Sequence, residues 1–234
     1  MCIFKQSEKG MNFFMDYKYI FFDFDGTLVN TIDGTEASAK YALDQFSINT
    51  DNIKDLGRIF CGPPLKESFS KFNLSEADIE LAIKFYKKYQ AENTIELSKI
   101  YEGIKELLSN LKKIGKSLKV VTIKSRDVAI QILKFLDIYQ FFDEVIGTCD
   151  EFPNQNKKEM LKFVTEKVDL NKAIMIGDRK SDIDAGNYCK IDTIAVLYGM
   201  DSKERLSNAN PTFYAKNAKE IYDILLGRNI KCNS

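Results

Sequence analysis

The segment Phe22-Asp23-Phe24-Asp25-Gly26-Thr27-Leu28 sets two carboxylates two residues apart, directly after the short apolar run Tyr19-Ile20-Phe21-Phe22. In extended chain such residues point to the same side. Carboxylates held that close repel unless one keeps a proton or a cation intervenes, so the pair suits a divalent metal or a division of labour between nucleophile and acid. Alone, it fits equally an ordinary strand end closed by an Asp-Gly turn. A second apolar run, Ile174-Met175-Ile176, ends in Gly177-Asp178, with Asp182 and Asp184 following. Asp178 is expected at a strand tip beside the first pair and Asp182 is read as functional, whereas Asp184 suits the positive end of a helix dipole. In Val120-Val121-Thr122-Ile123-Lys124-Ser125 a hydroxyl follows an apolar strand and can hydrogen-bond a phosphate oxygen. Asn156-Lys157-Lys158-Glu159 puts lysines at a helix start, where the dipole disfavours cations, so one of them is expected to serve an anion; a solvated basic pair is the bland alternative.

Histidine is absent, which excludes imidazole-based triads and zinc sites built on imidazole. Acid and base work falls to carboxylates, lysine, tyrosine or thiol. Lys plus Arg and Asp plus Glu both total 34 in a chain of 234 residues, so nothing suggests a nucleic-acid groove or an anionic membrane surface. The five cysteines, Cys2, Cys61, Cys149, Cys189 and Cys232, have no CxxC or metal-ligand spacing and are read as reduced thiols of a cytoplasmic protein. Lys5, Glu8 and Lys9 interrupt the apolar patches at the start before they reach the length of a signal peptide, and no run is long enough to span a bilayer.

The elements that must position these groups alternate. Strands are expected at Tyr19–Phe22, 118–123, 144–147, 173–177 and 193–198, with helices between them such as 101–114 and 128–136, which implies crossover units and a parallel sheet. Between 33 and 99 only helical periodicity occurs, over 37–46, 53–60, 65–72 and 75–96, with Pro63-Pro64 as a break and Ser75-Glu76-Ala77-Asp78 resembling a capping box. The expected division is an N-terminal extension over 1–17 with a disordered tail as its visible consequence, Met11 or Met15 being candidate true starts. A discontinuous core follows over 18–32 and 100–228, with a helical cap over 33–99 and a tail over 229–234.

The order DxDGT, strand plus Thr, Lys, then GDxxxD runs from Asp23 to about Asp182 and resembles the four motifs of the haloacid-dehalogenase-like superfamily. Ala195-Val196-Leu197-Tyr198-Gly199 and the segment from Cys61 to Phe69 are similar to its branch of phosphoglycolate phosphatases and related nucleotidases. The resemblance implies an α/β fold, a doubly wound parallel sheet with a Rossmann-like core and an inserted small all-helical cap. It implies Asp23 as nucleophile and Asp25 as general acid, with Thr122 and the backbone after Asp23 holding phosphoryl oxygens and Lys157, rather than Lys158, neutralising nucleophile and phosphate. Gly26, Thr27, Ile123 and Lys124 are implied phosphate or substrate contacts. Magnesium is implied at Asp23, the main-chain carbonyl of Asp25 and Asp178, with Asp182 as a ligand or just outside the ligands. On the cap, Arg58 and Lys66 can meet an anionic substrate, with exposed helix charge the preferred reading of both. The sequence departs from many relatives in lacking Lys-Pro at Lys157 and proline at Tyr101-Glu102-Gly103.

The activity implied is magnesium-dependent hydrolysis of a small phosphorylated metabolite, phosphoglycolate foremost, by a monomer or weak homodimer. A 5′-nucleotidase, a pyrophosphatase and a β-phosphoglucomutase-like phosphotransferase are the alternatives, the last disfavoured by the missing histidine. A non-catalytic binding module on the same fold is disfavoured because Asp23, Asp25, Lys157 and Asp178 are all present.

Overall fold

β1 (Tyr19–Phe22) buries side chains on both faces, as a central strand of a parallel sheet must: Ile20 and Phe22 pack on one side and Phe21 on the other. The computed structural model describes residues 16–149 and 156–228; most of the expected N-terminal extension, with Met11 and Met15, and the expected tail 229–234 lie outside them. After β1 the chain passes through β2 (Val29–Asn30), which pairs antiparallel with β3 (Lys99–Ile100). This two-stranded ribbon brackets the whole helical segment between its strands.

The sheet continues with β4 (Ser117–Ser125), β5 (Glu144–Thr148), β6 (Ala173–Gly177), β7 (Asp192–Val196) and β8 (Phe213–Ala215). Its order is β5-β4-β1-β6-β7-β8 with every pairing parallel. The chain thus builds outward from β1 in one direction, returns, and builds outward in the other, so the winding reverses between the neighbours β1 and β6. Crevices at the carboxyl ends of strands flanking such a switch point are where open α/β sheets bind ligands.

Helices cover both faces. In the segment bracketed by β2 and β3 lie α1 (Ile32–Asp44), α2 (Leu56–Phe60), α3 (Leu65–Phe69) and α4 (Glu76–Asn93), which close on a separate cluster of Ala39, Leu43, Phe60, Phe69, Ile79 and Tyr86. Ser75 caps α4 by accepting from the Asp78 amide at 3.2 Å, a contact that typically contributes about 1 kcal/mol. Next come α5 (Ile104–Lys113), α6 (Arg126–Phe135), α7 (Lys157–Thr165), α8 (Lys180–Tyr188), α9 (Lys203–Ser207) and α10 (Ala218–Leu225). Ile104, Leu107, Leu108 and Leu111 recur at helical spacing and pack α5 beside α6 and α10 on the Ile20 and Phe22 side, while Met160, Leu161 and Val164 of α7 meet Phe21 on the other.

The structure corrects several expected boundaries. Residue 17 is not part of an extension: Tyr17 is buried, its hydroxyl donates to Asp192 at 2.8 Å, and the neighbouring Lys18 amide bonds the Lys172 carbonyl. The strand expected to run to Tyr198 stops at Val196, and the edge strand β8, only three residues long, was not anticipated. The limits expected for the helical segment, 33 and 99, fall inside α1 and β3. Among the described residues no helix is long and apolar enough to cross a membrane.

Candidate active site

Asp23 leaves β1 at the switch point, its amide bonded to the Ile176 carbonyl of β6 at 2.8 Å. Asp178 leaves β6 directly after Gly177, and α8 returns Asp182 beneath it. Carboxylate oxygens of Asp23, Asp178 and Asp182 all lie within 4.8 Å of one another, and all three residues are buried. Lys157, the first residue of α7, places its Nζ 2.5 Å from both Asp23 Oδ1 and Asp182 Oδ1. The adjacent Lys158 instead lies over the Tyr188 ring, 5.8 Å from its centroid.

Backbone and hydroxyl donors fix the acids. Asp178 accepts from Thr27 Oγ1 at 3.1 Å and from the Met200 amide at 2.7 Å, while Asp182 accepts from the Arg179 amide at 2.9 Å. Gly26 sits at φ +86°, and a Cβ there would run into the Asp178 carboxylate, so the turn after Asp25 can approach β6 only as glycine. Asp184 pairs with Lys180 one turn earlier and takes no part.

The Asp25 carboxylate turns away from this cluster. It accepts from the Thr31 hydroxyl and from Lys124 Nζ at 3.2 Å, and it faces a cavity of about 70 Å³ between the sheet and the helical segment. Ile123, Lys124 and Ser125 line the same cavity. Thr122 is buried within the second half of β4, its Oγ1 accepting from the Lys124 amide at 3.1 Å. Cys61 also lines the cavity, but burial pushes its thiol up to about 12, which removes it as a competing nucleophile.

Two expected contacts do not reach this place. Lys66 pairs with Glu76 on the exposed surface of the helical segment, and Arg58 donates to the Met200 carbonyl at 3.3 Å; neither lines the cavity. Both sit on short helices whose charged faces turn outward. Sequence reasoning also passed over Thr31, which holds Asp25, and Arg179, whose guanidinium donates to the Cys61 carbonyl and ties the loop after β6 to the helical segment. Gly62 beside it has φ +107°, and a Cβ there would overlap the Arg179 side chain.

Charge decides what the cluster can hold. Three carboxylates against one ammonium leave two negative charges in a buried site, which is what a divalent cation cancels. Burial, then the Asp182 charge, push Asp23 up to about 7 despite the opposing Lys157, and burial, then the Asp23 and Asp182 charges, raise Asp178 as well. Burial lowers the Lys157 ammonium, but Asp182 and Asp23 outweigh it and keep the group protonated. The donors are all hard oxygen, so the residues fit magnesium.

A folded-state value for Asp23 above its ordinary 3.8 means that its contribution to metal-free stability is fully present below about pH 4 and is lost as pH rises toward 7. A dication removes that penalty. Magnesium is therefore expected to raise Tm clearly more at about pH 8 than at about pH 5, as read by thermal melts with magnesium or chelator. An increment that is equal at both pH values would contradict this account of the cluster.

The profile of the haloacid dehalogenase-like hydrolase family matches residues 20–196, and the chain belongs to that family. It is an enzyme of the phosphoric ester hydrolase class. Over 207 residues it is 32% identical to pyrophosphatase PpaX of Bacillus velezensis, which covers 88% of this chain and 94% of the relative. Among solved structures, a predicted phosphatase from Clostridium acetobutylicum aligns with TM-score 0.83 and 33% identity, over 90% of this chain and 99% of the other. A haloacid dehalogenase-like family hydrolase from Streptococcus pneumoniae aligns with TM-score 0.79 and 29% identity, over 88% of this chain and 97% of the other.

Proposed function

We propose that the chain is a magnesium-dependent phosphatase that hydrolyses a small phosphate monoester, phosphoglycolate foremost, through an aspartyl phosphate on Asp23. The observation that carries the reading is the contact of Lys157 with Asp23 inside a buried carboxylate cluster at the switch point of the sheet. Asp23, Asp178 and the Asp25 carbonyl would hold magnesium, with Asp182 beside them. Bound there, the metal supplies Lewis-acid polarisation of a phosphoryl oxygen and cancels charge between the nucleophile and the phosphate.

An Asp23 oxygen attacks phosphorus as the bond to the leaving oxygen breaks, and Asp25, on the cavity side, gives that oxygen its proton. In the second half Asp25 takes a proton from water, the water oxygen bonds phosphorus, and the bond to Asp23 breaks to release phosphate. Lys157 neutralises the nucleophile during approach, and Thr122, Gly26 and Thr27 border the phosphoryl position. The helical segment acts as a cap over the cavity, excluding bulk water from the first half. Free thiols at Cys61, Cys149 and Cys189 support a cytoplasmic setting.

Pyrophosphate is the second reading, favoured by the name of the relative from Bacillus velezensis. The same steps apply, with phosphate leaving in place of an alcohol. A phosphate-release screen across phosphoglycolate, pyrophosphate, nucleoside monophosphates and sugar phosphates, with magnesium or chelator, tests both. Release from a small ester or pyrophosphate that stops on chelation is expected. Turnover that survives chelation would reject the mechanism.

A further inference from the structure

The buried face of α4 carries Ile79, Ala82 and Tyr86 at helical spacing, and the next position on that face is Gln90. An amide where the pattern calls for an apolar residue costs stability unless it is bonded. Gln90 Nε2 donates to the Tyr86 hydroxyl at 3.1 Å, and Thr35 of α1 lines the same cavity as these two. All three residues are buried, and all three line the cavity that Asp25 shares. The otherwise apolar buried face of α4 therefore turns polar where it meets the cavity that Asp25 shares.

The cavity constrains that group in two ways. The space beside Asp25 is small, about 70 Å³, and open to solvent on one side, so a compact leaving group meets the lining directly while a nucleoside or hexose would reach beyond it. Its charged lining is Lys87 and Lys124 against Asp25, and the remaining groups are neutral. Burial holds the Tyr86 phenol and the Cys61 thiol protonated, so neither adds negative charge.

We propose that Thr35, Tyr86 and Gln90, with Lys87 at the rim, form a leaving-group subsite that selects a compact oxyanion: a second phosphate or a short carboxylate. This rests on the phosphatase reading and goes beyond it in assigning selection to these four side chains. Buried polar groups lining a small cavity reject a leaving group that cannot satisfy them more strongly than an apolar pocket rejects a wrong size.

The test measures kcat/KM for pyrophosphate, 2-phosphoglycolate, glycerol 1-phosphate and AMP on the full chain, with Lys87→Glu, Gln90→Leu and Asp23→Asn. The wild type is expected to prefer one or both compact anions to AMP by at least about tenfold. Comparing pyrophosphate with phosphoglycolate identifies which oxyanion is read. Lys87→Glu reverses an exposed charge without touching the buried cluster, and it should cut the preference for the anions over glycerol 1-phosphate at least about fivefold. Gln90→Leu should act in the same direction with Tm lowered only modestly, because the Tyr86 hydroxyl loses its donor while an apolar side chain fills the place. AMP as the preferred substrate, or Lys87→Glu and Gln90→Leu slowing every substrate by one common factor, overturns the subsite and leaves the phosphatase reading standing. Absence of any turnover that depends on Asp23 overturns both.

Discussion

Replacing Asp23 with Asn is expected to lower kcat by at least about 10⁴-fold while making the metal-free protein more stable. The two effects come from one cause. The carboxylate is needed as nucleophile, yet it is buried with Asp178 and Asp182 in a cluster that resists ionisation, which is why its proton is held up to about 7. Asn keeps the shape and removes the charge, and Lys157 keeps its 2.5 Å contact with Asp182. Relief of a buried like-charge contact of this kind is on the order of 1–3 kcal/mol in chelator at neutral pH. Phosphate release and thermal melts in chelator measure the two halves, and acid quench with labelled substrate should trap phosphate on the wild type but not on the variant. A variant that still turns over would remove Asp23 from the chemistry, and one that melts earlier than wild type in chelator would show that the cluster is not repulsive.

The acids of this site were legible because each follows an unmistakable strand. Tyr19–Phe22 and Ala173–Gly177 are short, wholly apolar runs that stop at an aspartate, and a parallel sheet puts such stops on one edge. That β1 and β6 are neighbours, so that Asp23 and Asp178 share one crevice, is a property of strand order that no local pattern encodes. The choice between Lys157 and Lys158 was open in the sequence for a similar reason, although a signal existed. Met160, Leu161 and Val164 are three, four and seven residues beyond Lys157, so helical phase places Lys157 on the buried face. Arg58 and Lys66 were candidates on charge alone, and charge says nothing about which way a short helix faces; Lys66 found Glu76 instead. Tyr17 was assigned outside the fold because one aromatic residue has no periodicity, and the core cluster that buries it and the Asp192 that accepts from its hydroxyl come from distant parts of the chain. Gln90 failed to stand out because a polar residue late in a helix reads as solvated, whereas the packing of α4 buries it.

Lys157→Met offers the second large effect, and its two readouts should move in opposite directions. A lysine at the first position of a helix stands against the dipole, and this one is also buried, so only the carboxylates of Asp23 and Asp182 keep it there as a cation. Met fills much the same volume without the charge. The nucleophile then meets a phosphate dianion with one compensating cation fewer, and kcat/KM is expected to fall by about 10²–10³-fold, the usual scale for losing one preorganised electrostatic group. The site meanwhile passes from two uncompensated negative charges to three, unless more protons are taken up. A divalent cation becomes the one remaining compensator, so the Tm increment from magnesium at about pH 8 should exceed that of the wild type. Lys158→Met, which removes an exposed charge over Tyr188, should change stability by less than about 0.5 kcal/mol and leave both readouts near wild type. A Lys157→Met protein that lost activity and magnesium response together would mean that the lysine builds the metal site rather than opposing its charge, and equal losses from both variants would mean that the pair acts only through surface charge.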